Sequence, residues 1–204
     1  TNTNDAPTVT SAISDGSIAE DASYSLNAAA AFTDVDSSDT LTYTMSGAPS
    51  TLSISSGTIS GTPLNADVGA HTIIVTATDG SNAAVSDTFI LTVTNTNDAP
   101  TVANAIADAS TAEDAAYTLS LSNVFTDVDT GDSCTYSMLG APSTLSLSSG
   151  TISGTPINAN VGTHTIDVTC TDGSSAAVKD TFVLTVTNTN DAPTVTSAIS
   201  DGSI

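Results

Sequence analysis

The sequence predicts an all-β protein: two tandem β-sandwich domains followed by the first strand of a third repeat. Three observations carry that prediction. A 93-residue unit recurs without gaps, apolar and polar residues alternate with a period of two, and β-branched residues fill the stretches between regularly spaced turns. The recurrence is read directly. Thr1 to Val9 reappears unchanged at Thr94 to Val102 and again at Thr187 to Val195. The first and second copies agree at 66 of 93 positions, and residues 187–204 reproduce residues 1–18 without a change. The chain is therefore divided into residues 1–94, 95–187 and 188–204, and is expected to be a window of a longer array.

A period of 93 lies near the roughly 100 residues of an immunoglobulin-like Greek-key sandwich, and far above that of a solenoid repeat. Within the first repeat the candidate strands run in order. Thr8 to Ile13, Ser23 to Leu26, Leu52 to Ile54 and Thr58 to Ile59 are short. Thr40 to Met45 puts Leu41, Tyr43 and Met45 on one face. Thr72 to Ala77 turns Ile73, Val75 and Ala77 inward, and Thr88 to Val93 does the same with Phe89, Leu91 and Val93. Gly47-Ala48-Pro49, Ser56-Gly57, Gly61-Thr62-Pro63 and Asp79-Gly80 are the turns between them. Ala28 to Ala31 is long enough for one helical turn and no more.

Charge excludes several functions. Among 204 residues there is one Lys or Arg against 22 Asp and Glu, a formal net charge of −21. A chain with a single cation cannot neutralise a run of phosphates, so nucleic-acid binding and attraction to anionic lipid are excluded. No apolar run approaches the roughly 20 residues that span a bilayer, so direct membrane insertion is not expected. The mean hydropathy of +0.14 and the clean strand patterns separate the chain from disordered acidic tracts. An enzyme is not expected either: the chain has no nucleophile elbow, no Gly-rich phosphate loop and no nucleophile spaced to a base.

The acids recur with the repeat. Asp5, Asp15, Glu20, Asp21, Asp34, Asp36, Asp39, Asp79 and Asp87 all have acidic counterparts 93 residues on, whereas Asp67 becomes Asn160 and Asp167 is new. Their order is a linker Asn-x-Asn-Asp-Ala-Pro, then Ala-Glu-Asp, then Asp-x-Asp with a Tyr downstream, then Val-Thr-Ala-Thr-Asp-Gly (Val-Thr-Cys-Thr-Asp-Gly in the second copy). That order, present twice, resembles the cadherin repeat, in particular the dystroglycan-type, bacterial cadherin-like modules of large secreted surface proteins.

The resemblance implies Ca²⁺ between consecutive domains. By it, Glu20 is the acid of the upstream domain; Asn95, Asn97 and Asp98 are the linker ligands. Asp127 and Asp129 are the Asp-x-Asp of the downstream domain, and Asp172 ends its penultimate strand. Asp67 is the one carboxylate standing near the place of the missing Asp-x-Glu, so fewer ions per junction are expected than in cadherins. Asn2, Asn4, Asp5, Asp34, Asp36 and Asp79 form a half-site without an upstream domain. Glu113, Asn188, Asn190 and Asp191 form one without a downstream partner. The ligand chemistry agrees: Ca²⁺ takes about six to eight oxygens from carboxylates, amides and carbonyls.

Other residues have simpler readings. His71 and His164 are expected to be packed structural groups, Asp15, Asp21, Asp108 and Asp114 turn residues, and Asp87 and Asp180 solvated acids. Cys134 and Cys170 replace Leu41 and Ala77 together, at inward positions on neighbouring strands of such a sandwich. A disulfide is the expectation, with two buried thiols as its alternative. The expected function is a structural segment of an extracellular or cell-surface fibre or adhesin, its identical neighbouring repeats stiffened by Ca²⁺. The alternative is a Ca²⁺-dependent binding module for polysaccharide or for homophilic contact, including head-to-tail self-association.

Overall fold

A computed structural model describes residues 3–36, 39–197, 199 and 202; Asn2 of the proposed half-site lies outside the described residues. The chain forms two compact units, Thr1–Asn97 and Asp98–Ile204.

In the first unit the strands are β1 (Thr8–Val9), β2 (Gly16–Ala19), β3 (Tyr24–Asn27), β4 (Phe32–Thr33), β5 (Thr42–Ser46), β6 (Leu52–Ser55), β7 (Thr58–Gly61), β8 (Gly69–Thr78) and β9 (Ala84–Thr94). One sheet has the order β2-β9-β8-β5 and the other β3-β7-β6, with the pair β1-β4 beside it. The second unit repeats this with β10 (Thr101–Val102), β11 (Ala109–Ala112), β12 (Tyr117–Ser120), β13 (Phe125–Thr126), β14 (Thr135–Leu139), β15 (Leu145–Ser148), β16 (Thr151–Gly154), β17 (Gly162–Thr171) and β18 (Ala177–Thr187). Its sheets are β11-β18-β17-β14 and β12-β16-β15, with β10-β13 apart.

The long strands follow the alternation. Ile73, Val75 and Ala77 of β8 and Phe89, Leu91 and Val93 of β9 are buried, and their neighbours in sequence face outward or lie half-buried. All of these buried residues but Val93 pack with Phe32, Leu52 and Ile59 into one core, with the Phe32 and Tyr43 rings 6.1 Å apart. Phe125, Leu145, Ile152, Ile166, Val168, Phe182 and Leu184 build the equivalent core of the second unit. Burying side chains of this size contributes roughly 1.5–3 kcal/mol each.

The opening strand departs from the expectation. Instead of continuing from Thr8 to Ile13, the chain leaves β4 after Val9 and crosses to the other sheet. There Gly16 to Ala19 run parallel to β9, pairing Gly16 with Leu91 and Ala19 with Thr94. Ala28–Ala31 is a single 3₁₀ turn that interrupts the edge between β3 and β4, with Ala28 and Ala31 in the core. In the second unit Leu121 and Val124 take those two places. Gly47 (φ +78°) needs the left-handed region, and a Cβ there would collide with the Thr72 carbonyl.

Candidate metal centre

Each repeat gathers three carboxylates where β4 ends and β8 turns into β9. In the first, Phe32 anchors β4 in the core, so the chain emerges at Asp34 directly into the loop. Asp34 Oδ1 accepts the Asp36 N–H at 2.8 Å, and Asp39 N–H donates to the Asp36 carbonyl at 2.9 Å. These bonds curl the loop back and carry Asp39 toward Asp34. From the other side, Asp79 shapes its own turn: its Oδ1 accepts the Ser81 and Ala83 N–H groups, both at 2.8 Å, while Asn82 takes a left-handed φ of +68°. Ligand oxygens of Asp34, Asp39 and Asp79 then lie within 4.8 Å of one another.

The second repeat reproduces the arrangement. Asp127 Oδ1 accepts the Asp129 N–H at 3.0 Å, Asp172 Oδ1 accepts Ser174 and Ala176, and oxygens of Asp127, Asp132 and Asp172 lie within 4.8 Å. Asp36 and Asp129 face the linker residues of their own units: Asp36 Oδ2 accepts the Asp5 N–H and Asp129 Oδ2 the Asp98 N–H, each at 2.8 Å. Asn4 donates its amide to Asp79 Oδ2 at 2.9 Å.

The charges in this group are poorly balanced. Asp34 Oδ2, Asp39 Oδ2 and Asp127 Oδ2 are buried and accept no hydrogen bond. Burial, followed by the charges of Asp34, Asp79 and Asp36, holds the Asp39 carboxyl above the usual carboxylate range; burial and Asp127, Asp129 and Asp172 do the same to Asp132. Asp79 is held below that range, chiefly by the Asn4 amide. No ammonium or guanidinium relieves the trio, because the chain's single basic residue, Lys179, is bonded to Asp167 at 2.9 Å. Oxygen-only donors, several anionic and some without a partner, fit a hard divalent cation of the Ca²⁺ type.

Glu20 stands at the opposite end of β9. It is 2% exposed, its N–H donates to the Thr94 carbonyl, its Oε1 accepts the Thr96 N–H at 2.8 Å, and its Oε2 is buried without a partner. Glu113 is alike, with Thr189 N–H at 2.7 Å. Asn188, Asn190 and Asp191 are exposed beyond it. Asn95 accepts a bond from Asn65 at 3.5 Å within the first unit, to which Asn97 also belongs.

Three residues differ from their sequence reading. Asp67 joins neither trio. It caps a turn, Oδ2 accepting Thr51 Oγ1 at 2.7 Å and the Leu64 N–H at 3.0 Å, and Asn160 makes the same pair of bonds to Thr144 and Ile157 through its amide oxygen. The same two bonds are thus made by a carboxylate in one repeat and an amide oxygen in the other, as a turn cap. Asp87 and Asp180 are half-buried and accept the Ile13 and Ile106 N–H groups, both at 2.6 Å, rather than facing water. Asp39 and Asp132 had no assigned role; their recurrence at the repeat offset was the one available signal.

Cys134 and Cys170 form a disulfide, their Cα atoms 5.1 Å apart, and no cysteine is free. His71 and His164 bond the main-chain carbonyls of Asp67 and Asn160.

Sheet order, parallel first and last strands and loop-end carboxylates define a tandem of cadherin-like, immunoglobulin-like sandwiches. The chain belongs to the family described as putative Ig domain, which matches residues 6–94 and 99–187. It is 36% identical over 163 residues to the serine-rich adhesin for platelets of Staphylococcus aureus strain USA300. The match covers 78% of this chain and 7% of that protein, so the chain spans a small part of its relative. Among solved structures, it is similar to Drosophila N-cadherin EC1-4 (TM-score 0.55, 19% identity, 91% of this chain and 50% of that one). It is also similar to mouse cadherin-23 EC22-24 (TM-score 0.54, 19% identity, 73% and 53%). At these identities the likeness is one of fold.

Proposed function

We propose that the chain is a structural segment of a long extracellular fibre or adhesin whose tandem sandwiches bind Ca²⁺ and are stiffened by it at their junctions. The observation that carries this reading is the carboxylate trio, built twice from the same positions, with buried oxygens left unpartnered and no basic side chain beside it. Asp34, Asp39 and Asp79, and their counterparts Asp127, Asp132 and Asp172, are the proposed carboxylate donors. Within each unit a linker group bonds toward the trio, Asn4 to Asp79 and Asp5 to Asp36 in the first and Asp98 to Asp129 in the second, and these groups are proposed to complete the set.

Chain order supports the junction. The polypeptide leaves the first repeat past Glu20, which holds Thr96, and enters the second through Asp98, which bonds Asp129. Glu20, Asn95, Asn97, Asp98, Asp127, Asp129 and Asp172 are thus the proposed set around the linker from Asn95 to Pro100. A bound ion ties the linker to groups on both sides and removes its freedom to bend. Sites of this kind suit millimolar Ca²⁺ outside the cell. A carbohydrate platform is less well supported, since none of the eight Phe and Tyr side chains is exposed.

Calorimetric titration with Ca²⁺ tests the reading together with small-angle scattering in EGTA. At least one ion per repeat, a higher melting temperature and a longer, stiffer particle in Ca²⁺ are expected. Asp39→Asn with Asp132→Asn is expected to weaken binding at least ten-fold, and Asp127→Ala with Asp129→Ala to reproduce the chelated state. A flat titration with identical scattering curves would end the proposal.

A further inference from the structure

The carboxylates that the metal reading leaves unused lie along one seam. In the first repeat, β2 and β9 pair in parallel over four residues, Gly16 to Ala19 against Leu91 to Thr94. Beyond each end of that ladder, side-chain carboxylates add acceptors. Asp87 on the last strand accepts the Ile13 N–H at 2.6 Å, and Asp15 on the first segment accepts the Ile90 N–H at 2.7 Å, a reciprocal cross-stitch. At the other end the Glu20 N–H donates to the Thr94 carbonyl at 3.0 Å, and Glu20 Oε1 accepts Thr96 N–H at 2.8 Å. The joined stretch therefore runs from residue 13 to residue 20, twice the length of β2.

The second repeat carries the same seam. Asp180 accepts Ile106 at 2.6 Å, Asp108 accepts Val183 at 2.8 Å, Glu113 accepts Thr189 at 2.7 Å, and Glu113 N–H donates to Thr187 at 2.9 Å. Each side-chain bond has a carboxyl oxygen as its acceptor, and bonds to a carboxylate are roughly twice as strong as neutral pairs.

The direction of the strands gives the seam a mechanical meaning. The chain enters a repeat ahead of β2 and leaves it after β9. Tension along the chain pulls β2 toward its own start and β9 toward its own end. Because the strands are parallel, the two pulls oppose each other along a common axis, and the seam's bonds are loaded together in shear. An antiparallel hairpin such as β8–β9 would instead open one bond at a time from its free end.

We propose that Asp15 and Asp87, with Asp108 and Asp180 in the second repeat, lengthen the shear-loaded seam between β2 and β9, or β11 and β18, beyond its four-residue ladder. These acids thereby set how slowly a repeat yields under tension applied along the array. The proposal goes beyond the calcium reading, since neither aspartate of the cross-stitch belongs to the trio.

Single-molecule pulling on the full two-repeat chain at constant force tests it in two geometries. One pulls through the chain ends. The other pulls through handles at Ala12 and Ser86, which lie just outside the seam at one end and unzip it bond by bond. Unfolding of the first repeat is expected to be at least ten-fold slower end-to-end than in the unzipping geometry at equal force. Asp15→Ala with Asp87→Ala is expected to speed the end-to-end rate at least ten-fold and the unzipping rate less than three-fold. Asp15→Asn with Asp87→Asn, which keeps the acceptors but not the charge, should fall between. Equal rates in the two geometries, or equal acceleration of both by the alanine variant, overturn the proposal. So does a geometry difference that disappears in EGTA, an outcome that assigns the load to the calcium junctions and leaves the calcium reading standing.

Discussion

The first repeat places Leu41 and Ala77 where the second carries bonded Cys134 and Cys170, and the other buried core positions differ where Ala28 and Ala31 become Leu121 and Val124. On the outer face, Ile74 and Ser86 of the first repeat give way to Asp167 and Lys179, a solvent-facing ion pair that Thr181 joins through its hydroxyl at 2.7 Å. At the turn before the long strands, Asp67 gives way to Asn160 with its two hydrogen bonds intact. The trio and the seam carboxylates, by contrast, are duplicated acid for acid. Within this chain, copies diverge where an equivalent contact can be rebuilt with other chemistry, and stay alike where several carboxylates act together.

The disulfide is the sharpest way to test that comparison. Writing the first repeat's residues into the second, as Cys134→Leu with Cys170→Ala, removes a cross-link over a sequence separation of 36. In the chain-entropy model the second repeat then loses about 4 kcal/mol, less whatever Leu packing restores. Urea unfolding followed separately for each repeat should move the second transition alone. Equal movement of both would mean that the repeats do not unfold independently.

A smaller effect is expected at the turn. The backbone N–H of Leu64, then the Thr51 hydroxyl and His71, hold the Asp67 carboxyl below the usual carboxylate range. A lowered folded-state value means stability that is present above the unfolded value and lost as pH falls through the folded one. Asn160 does not titrate, so the second repeat lacks this dependence at the same turn. Asp67→Asn is therefore expected to destabilise the first repeat by roughly 0.5 kcal/mol at neutral pH, with the gap to wild type closing in strong acid. A gap that is constant with pH would show that the charge contributes nothing there. The smallest effect belongs to the exposed ion pair: Lys179→Ala should lower stability by less than the Asp67 change does, measured by denaturant titration, and by less still at high salt.

The long strands were legible because Ile73, Val75, Ala77 and Phe89, Leu91, Val93 repeat at a period of two over enough residues to outweigh local noise. β2 was not, since Gly16-Ser17-Ile18-Ala19 carries one large apolar side chain and is a strand only by pairing with residues 75 positions away. Asp34 and Asp79 were legible as candidate ligands from their motifs. Asp39 was not, because its approach depends on how the loop after Asp34 curls. Asp15 read as a turn residue and Asp87 as a solvated acid for the same reason: their partners are main-chain N–H groups of segments distant in sequence, which no spacing reveals.

The exchange of Ala28 and Ala31 for Leu121 and Val124 bears on how such an array is made. Neighbouring domains this alike are prone, while the chain is being synthesised, to pair a strand of one with the sheets of the other. A swapped product that inserted Leu121 and Val124 into the first repeat's core would overfill space shaped for two alanines, at a cost of typically 1–3 kcal/mol. The reverse swap would leave a void in the second. Two side chains at the 3₁₀ turn thus give each copy a fit to its own segment, and favour correct partition of the chain between domains that are otherwise close to interchangeable.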